Sequence, residues 1–261
     1  MTQIKSRPPK PLPPPEPEEE IEDGHELRMS LLDHLNELRI RITRTVIGIA
    51  IGTIIGLVIA DPVLAYLKSP YEELFLATAP TDPVVAYFRV ALMIGAILSI
   101  PITTWQVLGF VLPGLTKKEK GTLMKALPAI TVLFLCGAAF AWFLLVPPAI
   151  DFLSNFQSDL FITQYSADRY LGFVTALIFW MGVAFETPLV FFVLAILGMT
   201  TPRTLVRSWR FAIVGAAVAA AVITPTPDPV NMFLVMGPLL TLYIISIFLV
   251  LIGRRLSKVD A

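Results

Sequence analysis

Apolar and polar positions alternate along this chain in long blocks rather than residue by residue. Six apolar runs stand out: Ile42–Ala60, Val84–Leu112, Leu127–Ala149, Tyr170–Leu197, Phe211–Ile223 and Met232–Ile252. Most of them reach the roughly 20 residues that a helix needs to cross ~30 Å of hydrocarbon. The second and fourth are longer, so they must tilt, kink or protrude; Pro101 and Pro188 lie inside them, and Gly237–Pro238 lies inside the sixth. The fifth is short: at 1.5 Å per residue Phe211–Ile223 rises only about 20 Å, which calls for a thinner bilayer or snorkelling flanks. Ahead of the first run, Leu31, Leu35, Leu38 and Ile42 repeat at helical spacing, with Asp33, Glu37, Arg41 and Arg44 on another face. Ser30–Leu31–Leu32–Asp33 reads as a capping box. This pattern predicts an amphipathic helix that runs directly into the first span.

Composition confirms the class. Hydrophobic residues make up 56% and charged residues 15% of the 261, and mean hydropathy is +0.75. A soluble domain is about a quarter charged, and a globule of this length could not cover its surface with so few charges. Residues 1–27 differ from the rest: seven prolines between Pro8 and Pro17 precede Glu18, Glu19, Glu20, Glu22 and Asp23. Such a segment buries too little apolar surface to fold and lacks the apolar core of a secretory signal. The expected organisation is therefore a Pro/Glu-rich disordered tail over 1–27, a six-span membrane domain over 28–253 and a short tail over 254–261.

Charge sets the orientation. Arg28, Arg39, Arg41 and Arg44 precede the first span; Lys117, Lys118, Lys120 and Lys125 lie between the second and third; Arg203, Arg207 and Arg210 between the fourth and fifth; and Arg254, Arg255 and Lys258 follow the sixth. The opposite loops hold Lys68, with Arg89 and Arg169 at their borders. By the positive-inside rule both termini are cytoplasmic. The opposite loops, 61–83 and 150–169, are acidic and long enough to pack a cap over the spans.

The chemistry present is sparse. With 20 basic and 20 acidic residues there is no excess that points to nucleic acid. A single cysteine, Cys136, excludes an internal disulfide. His25 and His34 are too few for a His/Cys metal site. No phosphate-binding loop, zinc motif or nucleophile elbow is present, so an enzyme is not expected, and any driving energy comes from a partner or from the membrane potential. Glu186, in Phe185–Glu186–Thr187–Pro188, sits deep in the fourth span, where a charge costs about 2.5–3.5 kcal/mol on insertion scales. It is either a hydrogen-bonding patch on a proline kink or a polar docking or proton-linked site. Gln106 in the second span is a weaker case of the same kind. Glu37 has a plain role as an i,i+4 partner of Arg41, and Glu119 as a solvated charge among lysines. Together, two cytoplasmic carboxylates can also receive an incoming guanidinium, for which Lys is a poor substitute.

Several stretches, taken in order, resemble one family. They are His34-Leu-Asn-Glu-Leu-Arg39-Ile-Arg41, Ser69–Pro70, Trp105-Gln106-Val-Leu-Gly-Phe110-Val-Leu-Pro113 through Glu119, Phe185-Glu186-Thr-Pro188, and Ile223-Thr224-Pro225 through Asp228–Pro229. Over residues 30–252 the chain resembles TatC, the multispanning core subunit of the twin-arginine protein translocase. The resemblance implies an all-α bundle of six transmembrane helices, N-in/C-in, concave and glove-like, in the plasma membrane. It implies a receptor for twin-arginine signal peptides of folded cargo, driven by the proton-motive force and without a cofactor. Its implied partners are single-span TatA/TatB-type subunits, further TatC copies and the lipid bilayer. Glu37 and Glu119 correspond to the signal-peptide carboxylates, with Arg39 and Phe110 nearby. Glu186 corresponds to the buried fourth-span glutamate that meets partner helices. Asp228 lies near the docking surface of the sixth span. Where the family often carries Gln four residues later, this chain has Met232, so either Asn231 supplies the amide or the polar docking site is reduced. The alternative function is a proton-coupled secondary transporter using Glu186, although no internal repeat of the kind common in such proteins is evident.

Overall fold

The computed structural model describes residues 31–71, 73–111, 117–160, 163–224 and 228–259. The expected tail over 1–27 and the capping residue Ser30 lie outside the described residues. α1 (Leu31–Leu67) is continuous from the amphipathic segment into the first apolar run, as the unbroken spacing of its leucines and isoleucines requires. α2 (Asp82–Val111) returns antiparallel beside it, and α3 (Lys117–Phe140) leads through a π-helical turn (Ala141–Leu145) into α4 (Val146–Asn155). α5 (Ala167–Phe185) and α6 (Thr187–Ile196) make up the fourth run. A short α7 (Pro202–Arg207), α8 (Trp209–Ile223) and the long α9 (Pro229–Val259) complete the chain. The last helix thus continues past Ile252, where the apolar run ends, so residues 254–259 extend it.

The protein is an all-α multispanning membrane protein. Among the described residues five segments are long and apolar enough to cross a bilayer: His34–Leu67, Asp82–Phe110, Pro128–Asn155, Ala167–Ile196 and Pro229–Arg254. The helix Trp209–Ile223 is apolar but shorter. Large apolar side chains point outward, such as Val58 (81% exposed) and Phe211 (81%), which in water would be a fault and against lipid is the expected solvation.

Helix packing explains which faces remain free. On α1, Gly48, Gly52 and Gly56 recur every fourth residue and face Ile102, Gly95 and Ala91 of α2. A Cβ at Gly52 would stand 2.6 Å from the Gly95 carbonyl oxygen, so the two backbones touch directly, as small residues allow in membranes. The main core lies between α2, α4 and α5, where Val90, Val146, Leu171, Val174, Leu177 and Met181 are fully buried. A smaller core of Ala195, Leu205 and Val250 joins α6, α7 and α9.

The π turn has a sequence cause. Pro147 and Pro148 lack N–H groups and cannot bond back to the preceding turn. The Val146 N–H reaches Ala141 instead, five residues back. At the end of α6, Gly198 adopts φ +77°, with Gly198 N–H on Ala195 O (3.1 Å) and Met199 N–H on Leu194 O (2.9 Å). This left-handed cap favours glycine. Arg254 then ties α9 to the same loop, its Nε donating to Thr200 O at 2.8 Å.

At the end of the bundle away from the α1 N-terminus, the two long loops lock together. Leu76 and Ser166 form a parallel bridge, with Leu76 N–H on Tyr165 O at 3.0 Å. The rings of Tyr71, Phe75, Tyr165 and Tyr170 cluster beneath it. Tyr170 donates its hydroxyl to Leu67 O at 3.0 Å. The loops do form a packed cap, and aromatic burial supplies it.

Candidate signal-peptide site and intramembrane polar positions

The N-terminal part of α1 presents two different faces. Glu37, Arg41 and His34 lie toward α2. Arg41 donates through Nε to Glu37 Oε1 at 2.9 Å, and its Nη2 donates to the same oxygen. The Glu37 side chain is only 16% exposed, and its other oxygen, Oε2, is buried with no hydrogen-bond partner among the described residues. The Arg41 guanidinium lies in the space left by Gly109 of α2, where any Cβ would strike it. His34 stacks on Phe110, centroids 4.3 Å apart and planes at 23°. Gln106 lies one turn earlier in α2, buried, with its Oε1 likewise unpartnered among the described residues. The i,i+4 pair that the sequence offered as the plain role of Glu37 is therefore made, and half of the carboxylate is still free.

Arg39 points elsewhere. Two helical positions from Glu37 is more than half a turn around the axis, and Arg39 lines a groove with Asn36, Ile40, Thr43 and Arg44. Glu119 falls in the first turn of α3, but its side chain lies outside the described residues, as do Pro113 and its neighbours through Thr116. The sequence did not single out Gly109 as a cradle, although a glycine beside Phe110 was the available signal.

Glu186 occupies the break between α5 and α6. Pro188 has no N–H to give the Ala184 carbonyl, so the helix interrupts and restarts. Glu186 N–H reaches Val183 O at 3.1 Å, and its carbonyl accepts from Val190 at 3.0 Å. The half-buried Glu186 side chain makes no hydrogen bond or ion pair among the described residues. Next to it Phe185 packs on Phe140 of α3, centroids 5.3 Å apart. The side chain thus does not patch the kink; the backbone around it does.

Asp228 and Asn231 form one unit at the start of α9. Asp228 Oδ1 accepts the Asn231 N–H at 2.7 Å, and Oδ2 accepts Asn231 Nδ2 at 3.1 Å. This is a helix N-cap. Asn231 is 1% exposed and its Oδ1 has no partner among the described residues. Met232 packs against the main core. The buried amide at this end of α9 is therefore that of Asn231. Pro225 through Pro227 lie outside the described residues.

These features define a class: a polytopic α-helical membrane protein with a half-free buried carboxylate at one end and uncompensated polar groups within its spans. Residues 33–238 match the family described as Sec-independent protein translocase protein (TatC). The chain is 34% identical over 219 residues to the Sec-independent protein translocase protein TatC of Synechocystis sp., covering 84% of this chain and 86% of that one. It is 36% identical over 229 residues to the TatC of Xylanimonas cellulosilytica, covering 84% and 83%. A solved structure titled as the twin arginine translocase receptor TatC superposes with a TM-score of 0.76 at 35% identity, over 84% of this chain and 99% of that one. The chain belongs to the TatC family.

Proposed function

We propose that this chain is the signal-peptide receptor and core subunit of a twin-arginine translocase. The observation that carries the reading is Glu37: a carboxylate held in place by Arg41 through one oxygen, with the other buried and without a partner among the described residues. An unpaired buried acceptor is costly, and a guanidinium from a signal peptide satisfies it with a charge-assisted bond. Glu119, in the first turn of α3, supplies the second carboxylate, and Phe110 with His34 forms an apolar wall beside the first. Gln106 offers an amide oxygen on the inner side of the same region.

In this reading α8 is a sixth, short span, both termini are cytoplasmic, and the bundle is concave in the plasma membrane. The Lys and Arg distribution supports that orientation. Glu186, with no hydrogen bond or ion pair among the described residues, serves as a polar contact for a single-span TatA/TatB-type subunit, and Asp228 with Asn231 marks the α9 end of that surface. Transport draws on the proton-motive force, and further copies of the chain complete the assembly.

Binding of an R-R signal peptide and its K-K variant to the nanodisc-held chain tests this. Wild type is expected to prefer R-R, and Glu37→Ala and Glu119→Ala to lose the preference. Equal binding of both peptides by wild type rejects the receptor site. The uncompensated Glu186 carboxyl favours one second reading, a proton relay, which proton-coupled uptake by the chain alone in liposomes would support.

A further inference from the structure

The face of α1 that carries Arg39 turns away from Glu37 and Arg41, and it has its own chemistry. Asn36, Arg39, Ile40, Thr43 and Arg44 line a groove of about 370 Å³. The ion pairs formed among the described residues are Glu37–Arg41 and Arg89–Asp168, and neither involves Arg39 or Arg44. Thr43 donates its hydroxyl to the Arg39 carbonyl at 2.8 Å, so its oxygen retains acceptor capacity. We infer that this groove binds the phosphate headgroup of an anionic phospholipid, with Arg39 and Arg44 on the phosphate and Asn36 and Thr43 on the headgroup alcohol.

One feature suits phosphate in general, and two more favour a lipid over a soluble anion. Guanidinium groups grip phosphate oxygens in a forked geometry that an ammonium lacks. Arg39 stands just before, and Arg44 two residues into, the apolar run that begins at Ile42, the depth at which headgroup phosphates lie and basic residues gain from anionic lipid. Beyond the groove, the same face of α1 carries Ile47, Ile51, Ile54 and Val58, all exposed. These repeat at helical spacing from Ile40 and Thr43, close to opposite the Gly48, Gly52 and Gly56 face that packs on α2. A lipid fills both parts at once, its phosphate on the arginines and its acyl chains on the isoleucine ridge. A free phosphate covers only the first.

The test is native mass spectrometry of the full-length chain released from mixed micelles of phosphatidylglycerol and phosphatidylcholine. Wild type is expected to retain phosphatidylglycerol about tenfold or more over phosphatidylcholine. Arg39→Ala/Arg44→Ala is expected to bring that ratio near unity, while Arg39→Lys/Arg44→Lys keeps part of it. Arg203→Ala/Arg207→Ala, which removes the same charge elsewhere, is expected to leave the ratio unchanged. Inorganic phosphate at millimolar concentration is expected not to compete. An unchanged ratio in Arg39→Ala/Arg44→Ala overturns the site, as does an equal fall in the Arg203/Arg207 variant. Competition by inorganic phosphate overturns the lipid assignment. The lysine variant and the phosphate arm keep the proposal open to refutation should the alanine variant fail to fold.

Discussion

Arg41 places both its Nε and its Nη2 on one oxygen of Glu37, leaving the second oxygen buried and without a partner among the described residues. The pair depends on a third residue, because the Arg41 guanidinium occupies the space a side chain at position 109 would take. Gly109→Ala would not disturb the α2 backbone there; it would push the flexible end of Arg41 away from Glu37. Arg41→Gln removes the same contacts directly. Each is expected to lower stability by about 1.5–3 kcal/mol, the range for hydrogen bonds to a charged group. The double variant is expected to lose little more than either single one, since both break one interaction. Thermal unfolding in detergent reads this out, and additive losses would show that Gly109 supports something other than the ion pair.

The α1–α2 contact responds differently to added volume. At Gly52 the obstacle is backbone, the Gly95 oxygen and Cα at 2.6 and 3.0 Å from an added Cβ, and backbone cannot move aside alone. Gly52→Ala is expected to cost about 1–3 kcal/mol by forcing the helices apart. Gly215→Ala in α8, where nothing lies within 4 Å, is the control and is expected to be neutral or slightly stabilising. Equal effects of the two substitutions would contradict the close-packed hairpin.

How much of this was legible before the fold was known differs from place to place, for physical reasons. The spans, and the helix leading into the first, follow from hydropathy and spacing, because lipid leaves the backbone no choice but helix. The Glu186 break was foreshadowed by Pro188, whose missing N–H acts locally. The π turn was not foreshadowed: the third apolar run, Leu127–Ala149, gives no sign of it, and the helix continues past the run to Asn155. Adjacency in His34 through Arg41 groups Arg39 with Glu37, whereas helical geometry turns the two apart. The partnership of Arg41 with Gly109 depends on how two distant helices align, which no local pattern encodes.

Arg89 Nη2 and Asp168 Oδ1 meet at 2.7 Å, joining α2 to α5 across the top of the main core. Both side chains are 39% exposed, so the charges keep much of their solvation. A double-mutant cycle with Arg89→Ala and Asp168→Ala is expected to give a coupling of about 0.2–1 kcal/mol, weakened by salt. A larger, salt-insensitive value would mean that this pair, rather than the apolar core beneath it, fixes the α2–α5 contact.

Asp228 caps α9 through the Asn231 N–H, and the capping reading separates its structural from its functional work. Asp228→Asn keeps an oxygen acceptor and is expected to hold stability within a few tenths of a kcal/mol, while Asp228→Ala costs about 1 kcal/mol. If translocation falls in both variants although only the alanine variant loses stability, the charge at this end of α9 serves partner docking as well. If activity simply follows stability, capping is its whole role.

Glu186 makes the opposite prediction. Its side chain has no partner among the described residues, and the kink beside it is satisfied by backbone bonds from Glu186 N–H to Val183 O and from Val190 N–H to Glu186 O. Changing the carboxyl therefore removes no hydrogen bond or ion pair among the described residues. Glu186→Gln is expected to leave thermal stability within about 0.5 kcal/mol of wild type. Co-purification or crosslinking of a single-span partner subunit is expected to weaken roughly three- to eighteenfold on Glu186→Ala, the range measured for polar contacts between membrane helices. Glu186→Gln, which keeps a hydrogen-bonding end, should fall between the two. A loss of stability with partner binding unchanged would instead assign Glu186 to the fold of its own chain. Partner binding and stability both unchanged, with proton uptake by the isolated chain abolished, would move it to the proton-relay reading.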